Sequence, residues 1–185
     1  MSDLLIASLK NDDPFAMEQI FQVHWEKVFD LAFKKLGDET LAQDMTQEIF
    51  ISLWEKRKKL DLTGNLSGYL YGAVKNRVID YYRSISIKDG HQAEYAMLMD
   101  QKREIAPDEH LIFQDTAKEV EAVMQLLPER MRLVISMSRE QDKTVKEIAA
   151  ELNVSVQTVK NQITSAMKIL RDNLSYLLLI VFFWL

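Results

Sequence analysis

Apolar positions along this chain recur at intervals of three and four, the repeat of one helix face, and nowhere settle into the alternation of a half-buried strand. Asp12 and Asp13 before Pro14 read as a helix start, with Met17, Ile20, Phe21, Val28, Leu31 and Ala32 as its buried stripe and Gly37 as its stop. Asp38 opens a second helix, buried at Leu41, Met45, Ile49, Leu53 and Trp54, with Asp44, Gln47, Glu48 and Glu55 on the other face and the basic run Lys56 to Lys59 at its end. A loop from Leu60 to Asn65 leads into a third helix, Leu66 to about Arg83, apolar at Leu66, Leu70, Ala73, Val74 and Val78. That helix also carries Tyr69, Tyr71, Tyr81 and Tyr82; Tyr81 continues the apolar stripe and reads as a packing residue. Residues 84–107 lose the period, mix charges of both signs and end at Pro107, which predicts a flexible linker with at most a short helix near Ala93 to Lys102. Beyond it come a helix from about Asp108 to Leu126, a break at Leu127-Pro128 and another helix to about Arg139.

The next segment is the most specific. Val145, Ile148, Leu152, Val154, Val159 and Ile163 form the apolar scaffold of a helix-turn-helix, with Ala149 where two helix backbones come closest. Asn153 stands where the turn needs a positive φ, and Ser155 is placed to cap the second helix, which runs from about Val156 towards Leu170. Val159, Ile163, Ala166 and Leu170 line its buried side, leaving Gln157, Thr158, Lys160, Asn161, Thr164, Ser165 and Lys168 outside. Amides, hydroxyls and ammonium groups in that arrangement suit base edges and phosphates. The competing reading is a helical hairpin that packs against protein alone.

With 5 Gly and 3 Pro in 185 residues, turn formers are scarce, which supports an all-α fold of two small helical domains. The absence of cysteine removes disulfides and thiolate metal sites, and the start MSDLLIASLK lacks a basic region followed by an apolar signal core, so a cytoplasmic protein is expected. A net charge of -5 is an odd balance for a chain that grips nucleic acid unaided, because phosphate neutralisation supplies most non-specific affinity. Either DNA binding is weak alone, or a partner supplies the grip. His24, His91 and His110 lie far apart in sequence, and neither a second acidic helix nor a glycine-rich phosphate loop accompanies Asp44 and Glu48, so no enzyme is expected.

Ala42-Gln43-Asp44-Met45-Thr46-Gln47-Glu48-Ile49-Phe50, then Leu53-Trp54, then Tyr69-Leu70-Tyr71 with Asn76, Asp80 and Arg83, resembles region two of the extracytoplasmic-function (ECF) sigma factors. Leu127-Pro128-Glu129-Arg130, followed by Lys146-Glu147-Ile148-Ala149 and Thr158-Val159-Lys160, resembles their region four. The resemblance implies a region-two domain over residues 1–83, a linker over 84–107, a region-four domain over 108–172 and an apolar tail over 173–185. Asp44, Gln47 and Glu48 would dock core RNA polymerase at its clamp coiled coil. Lys58, Lys59, Asn65, Tyr69, Tyr71, Lys75, Asn76, Arg77 and Arg83 would serve the minus-ten element, where stacking is worth roughly 1 to 3 kcal/mol per unstacked base. Ser155, Gln157, Thr158, Lys160, Asn161, Thr164 and Lys168 would serve the minus-thirty-five element. Many relatives carry arginine or histidine about where Thr164 and Ser165 stand, so contacts there differ. The resemblance implies promoter DNA, core polymerase and an anti-sigma factor as partners, and no cofactor or metal.

Two other classes fit parts of the pattern. A regulator reading DNA without polymerase should bring a sensor domain and a basic reading surface, and a helical adaptor leaves the tyrosines and the basic run unexplained. The tail LSYLLLIVFFWL is uncharged, yet twelve residues fall short of the roughly 20 that span a hydrocarbon core, so it is not a transmembrane helix. Three roles fit it: continuation of the last helix onto its own domain, docking to an anti-sigma protein, or a signal read by proteases. Similar tails occur on relatives of Bacteroides-like type.

Overall fold

The computed structural model describes residues 2–60, 66–88, 109–139, 141–175 and 178–179, and every regular element among them is helical. They divide into two compact units, Met1–Val78 and Ile79–Leu185. The loop 61–65, most of the stretch read as linker, including the short helix expected near Ala93 to Lys102, and the end of the tail lie outside the described residues.

In the first unit, α2 (Pro14–Leu36) begins where Asp13, in an extended conformation, accepts a hydrogen bond from the Phe15 N–H at 2.9 Å, with Pro14 contributing a preset φ. It ends at Gly37, whose φ of 62° lets its N–H reach the Phe33 carbonyl at 2.7 Å. Asp38 then caps α3 (Glu39–Lys56) by accepting from the Leu41 N–H at 2.9 Å. So short a connection folds α3 back along α2, and Ile20, Val28, Ala32, Phe33 and Leu36 meet Ala42, Met45, Ile49, Phe50 and Leu53 in the core. The buried face of α3 is rotated from the expected one. Leu41 and Trp54 are half-buried, while Ala42, Thr46 and Phe50 are buried; the Thr46 hydroxyl satisfies itself on the Ala42 carbonyl at 2.7 Å. Phe21 is likewise 39% exposed, its ring packed between Trp25 and Phe50 at the core's edge.

Two features depart further from expectation. A helix α1 (Ser2–Lys10) precedes the predicted start, anchored by Leu9, which is fully buried, and packed against α2 and the short 3-10 turn Arg57–Lys59 that follows α3. Helix α4 spans Leu66–Lys88, continuing past Arg83 into the stretch read as linker. Its buried residues, among those described, are Leu66, Leu70, Val74, Val78, Tyr82 and Ser86, a strict step of four, so Tyr82 and not Tyr81 is the packing tyrosine. Tyr81 is half-buried, its ring edge-on to Tyr82.

The second unit holds α5 (Glu109–Leu126), α6 (Glu129–Arg139), α7 (Val145–Glu151) and α8 (Val156–Asn173). Arg132 closes the corner at Leu127-Pro128: its guanidinium donates to the Leu127 carbonyl at 3.1 Å and to Gln125, occupying carbonyls that the end of α5 leaves unpaired. Thr144 and Glu147 form a reciprocal capping box at the start of α7. Replacing Thr144 by alanine is expected to destabilise this unit by about 0.5–2 kcal/mol, read as a fall in its denaturation midpoint. Asn153 adopts a φ of 51° between α7 and α8, as the turn demands, and Ser155 caps α8. Val145, Ile148, Ala149, Val159, Ile163, Ala166 and Leu170 are buried, whereas Leu152 and Val154 at the turn are half-buried.

The last helix does not continue into the tail. The chain turns extended at Leu174, whose N–H still donates to the Leu170 carbonyl at 2.8 Å, and the Ser175 hydroxyl accepts from the Leu178 N–H at 3.3 Å to start a new turn. Leu174, Leu178 and Leu179 are buried all the same. No helix among the described residues is long and apolar enough to cross a membrane.

Candidate functional site

The exposed face of α3 presents Asp44, Gln47 and Glu48 at spacings of three and four, with Met45, Ile49 and Leu53 fixed in the core behind them. Ile51, 55% exposed, extends the same row and ends in Glu55. This is a rigid acidic and amide strip with one apolar side chain in it, suited to a basic helical partner. Glu48 is also the link to α4, because Arg77 Nη1 donates to Glu48 Oε2. Two residues assigned by sequence to different partners are thus one ion pair.

The basic turn follows α3 directly. Lys58 and Lys59 are exposed, while Arg57 is held in place: its guanidinium lies 4.0 Å over the Trp54 ring, Nη1 donates to the Trp54 carbonyl at 2.6 Å, and Nε donates to Asp12 Oδ1 at 2.6 Å. The second Asp12 oxygen accepts from Lys58 Nζ at 2.7 Å. Lys58, with Arg57 beside it, holds the Asp12 carboxyl below the usual carboxylate range.

On α4, Tyr69 is half-buried and Asn76 exposed, and their separation of seven residues, two helical turns, puts them on one flank. Tyr71, 51% exposed, and Lys75, half-buried, lie four apart on the other flank of the buried stripe. Both flanks cannot meet a strand in the same way, so these side chains form two sets rather than one. Arg83 is exposed on the same helix past the division between the compact units. Asn65 lies outside the described residues.

On α8, Gln157, Asn161, Thr164 and Lys168 are exposed and repeat as four, three and four, a single strip along the helix. Lys160 is half-buried at the edge of that strip. Gln157 Nε2 donates to Asn161 Oδ1 at 2.9 Å, which aligns two amides before any ligand arrives. Ser155 and Thr158 serve the helix: Ser155 Oγ accepts from the Thr158 N–H at 3.0 Å and lies 2.8 Å from the Thr158 hydroxyl. Their hydroxyls contact a ligand only from within the cap.

Several contributors escaped the sequence reading. Asp12 and Arg57 are forty-five positions apart, and nothing local pairs them. Arg132 likewise shows no pattern that announces its carbonyl clamp. The Thr144-x-x-Glu147 box was missed as well, although its spacing is a helix-start signature that could have found it. Among the described residues no group of three or more His, Asp or Glu could hold a metal ion, and His24 is a partly buried side chain whose imidazole is held below its usual range by burial and by Lys27.

Comparison with known proteins gives two family matches on this chain: sigma-70 region 2 over residues 20–86 and sigma-70 region 4 over residues 117–170. The chain is 25% identical over 179 residues to the ECF RNA polymerase sigma factor SigW of Bacillus subtilis, an alignment covering 91% of this chain and 94% of that protein. It is 26% identical over 162 residues to the ECF RNA polymerase sigma factor SigE of Mycolicibacterium smegmatis, covering 85% of this chain and 61% of that one. A solved sigma factor RpoE, crystallised with the anti-sigma factor NepR from Bartonella quintana, aligns over 84% of this chain and 94% of its own at 13% identity and a TM-score of 0.38, too distant to bear on the arrangement of the two units.

Proposed function

We propose, from the premise that this chain belongs to the ECF branch of the sigma-70 family, that it binds core RNA polymerase, recognises promoter DNA and promotes transcription initiation. The observation that carries this reading is the presence of both matches, region 2 and region 4, in one chain and in that order. Region 2 with the N-terminal helix, the linker and region 4 then correspond to residues 1–83, 84–107 and 108–172.

In this reading Asp44, Gln47 and Glu48 dock the polymerase clamp coiled coil, and their fixed exposure on α3 supports it. The basic turn with Lys58 and Lys59, together with Asn65, Tyr69, Tyr71, Lys75, Asn76, Arg77 and Arg83, engages the minus-ten element. Cations hold the backbone there and tyrosine faces receive unstacked bases. Gln157, Asn161, Thr164 and Lys168 read the minus-thirty-five element from one strip, with Lys160 reaching phosphate from its edge and Ser155 and Thr158 fixing the helix end. The covalent chemistry belongs to the polymerase. The net charge of -5 suits a subunit whose grip on DNA is completed by a partner.

An anti-sigma factor is the regulatory partner we infer, and cytoplasmic residence follows from work on polymerase and DNA. The apolar tail supports a Bacteroides-like member of the group.

Run-off transcription tests the reading. Added to bacterial core polymerase on a promoter library from its host, the chain is expected to give specific transcripts that core alone does not. Lys160→Ala is expected to weaken transcription about threefold to tenfold from promoters that need the upstream element, in line with one lost phosphate or base contact. Equal activity with and without that element rejects the recognition-helix assignment.

A further inference from the structure

Asp12 lies outside both family matches, yet it is the residue most closely engaged with the basic turn. Its position is built. Helix α1 ends at Lys10, the Asn11, Asp12 and Asp13 N–H groups return to carbonyls of Ala7, Ser8 and Leu9, and Asp12 itself adopts a φ of 65°, a conformation uncommon for a residue with a side chain. Leu9, fully buried one turn earlier, anchors this hook to the unit. The carboxylate is thereby delivered to two cations at once, Oδ1 to the Arg57 guanidinium and Oδ2 to the Lys58 ammonium, at 2.6 and 2.7 Å. Two anionic oxygens shared between a guanidinium and an ammonium reproduce the contacts of a backbone phosphate.

The two cations are not equally held. The Arg57 side chain is 19% exposed and has the Trp54 ring and carbonyl as further partners. Lys58 is 64% exposed, and an ion pair so open to water is weak enough for another anion to displace. We propose that Asp12 is a specificity-determining residue, an internal phosphate mimic that withholds Lys58 from DNA backbone in the free chain and yields it when polymerase presents promoter DNA to the basic turn. The device lowers affinity for arbitrary DNA without removing a cation from the promoter interface. It rests on the reading that Lys58 faces DNA phosphate.

The test uses the full chain and fluorescence anisotropy with a short non-promoter duplex across a salt series. Asp12→Asn keeps the shape and removes the charge. It is expected to tighten binding about threefold to tenfold at low salt and to steepen the slope of log affinity against log salt by about one, the signature of one added phosphate contact. Adding Lys58→Ala is expected to cancel the gain, while Lys58→Ala alone changes the free chain less than about twofold, because Asp12 already withholds that lysine. Unchanged or weaker binding by Asp12→Asn at a wild-type thermal midpoint overturns the proposal. So does a gain that survives Lys58→Ala. If Asp12→Asn fails to fold, Lys58→Ala alone decides: a loss beyond about threefold shows Lys58 engaging DNA despite Asp12. Run-off transcription by the wild-type chain separates these failures from failure of the sigma-factor reading itself.

Discussion

Replacing Asp44 and Glu48 together by arginine is expected to abolish binding to core RNA polymerase while leaving the helical content of the chain near wild type. Both side chains are exposed on α3, and the core residues Met45, Ile49 and Leu53 face away from them, so the substitution changes the strip's charge without opening the core. Against a basic helix two attractive contacts become repulsive, and close interfacial charge pairs carry about 1.5–7 kcal/mol each by double-mutant cycles. Loss of only one such pair already weakens binding more than tenfold. The cost to the fold comes from one place: arginine at position 48 meets Arg77 instead of pairing with it. An exposed pair of this kind is worth about 0–1 kcal/mol, so the thermal midpoint should move little. Glu48→Gln separates the two effects, since it ends the ion pair without adding repulsion towards polymerase. Polymerase binding retained by the double arginine variant removes the docking assignment.

The other large effect is expected in the second unit. Ile163 is fully buried on α8, the helix against which α6 and α7 pack. Truncating it to alanine removes three heavy atoms from a site that the surrounding helices cannot fully close, and losses for such changes run about 2–5 kcal/mol. A small helical domain has a total stability of roughly 5–15 kcal/mol, so the unit should melt far earlier or lose its cooperative transition. Transcription that depends on the upstream element should fall with it, while binding to core polymerase through α3 persists. Loss of polymerase binding in Ile163→Ala would show that the docking strip is not confined to the first unit.

Much of this protein was legible in its sequence, and the reasons are local. Asp13-Pro14, Gly37 and Asp38 fix where α2 starts, where it stops and where α3 starts, because caps and positive φ angles act within a few residues. The helix-turn-helix was equally readable, since Asn153 and Ser155 do their work within one turn and Val159 and Ile163 follow the helical repeat. The exposure of Asp44, Gln47 and Glu48 came from the same repeat. Where the periodic reading slipped, it slipped by one residue. Tyr81 and Tyr82 both neighbour the apolar stripe, and the choice between them depends on how far the helix rotates against its packing surface. Leu41 and Trp54 gave way to Ala42, Thr46 and Phe50 for the same reason.

What tertiary structure alone decided are the contacts between distant segments. Composition announced neither the return of α1 to the basic turn nor the grip of Asp12 on Arg57 and Lys58, because Asp12 looks in sequence like one of two helix-capping acids. Glu48 and Arg77 were each identified for their chemistry, but their pairing depends on how α4 crosses α3. Of the roles open to the tail, continuation of the last helix does not hold, since the chain breaks at Leu174 and yet buries Leu174, Leu178 and Leu179. The sequence by itself determined the helices, their ends and their faces, since those depend on bonds and repeats within a few residues. Which charges meet, and so which cations are already engaged before DNA arrives, was decided only when the chain closed on itself.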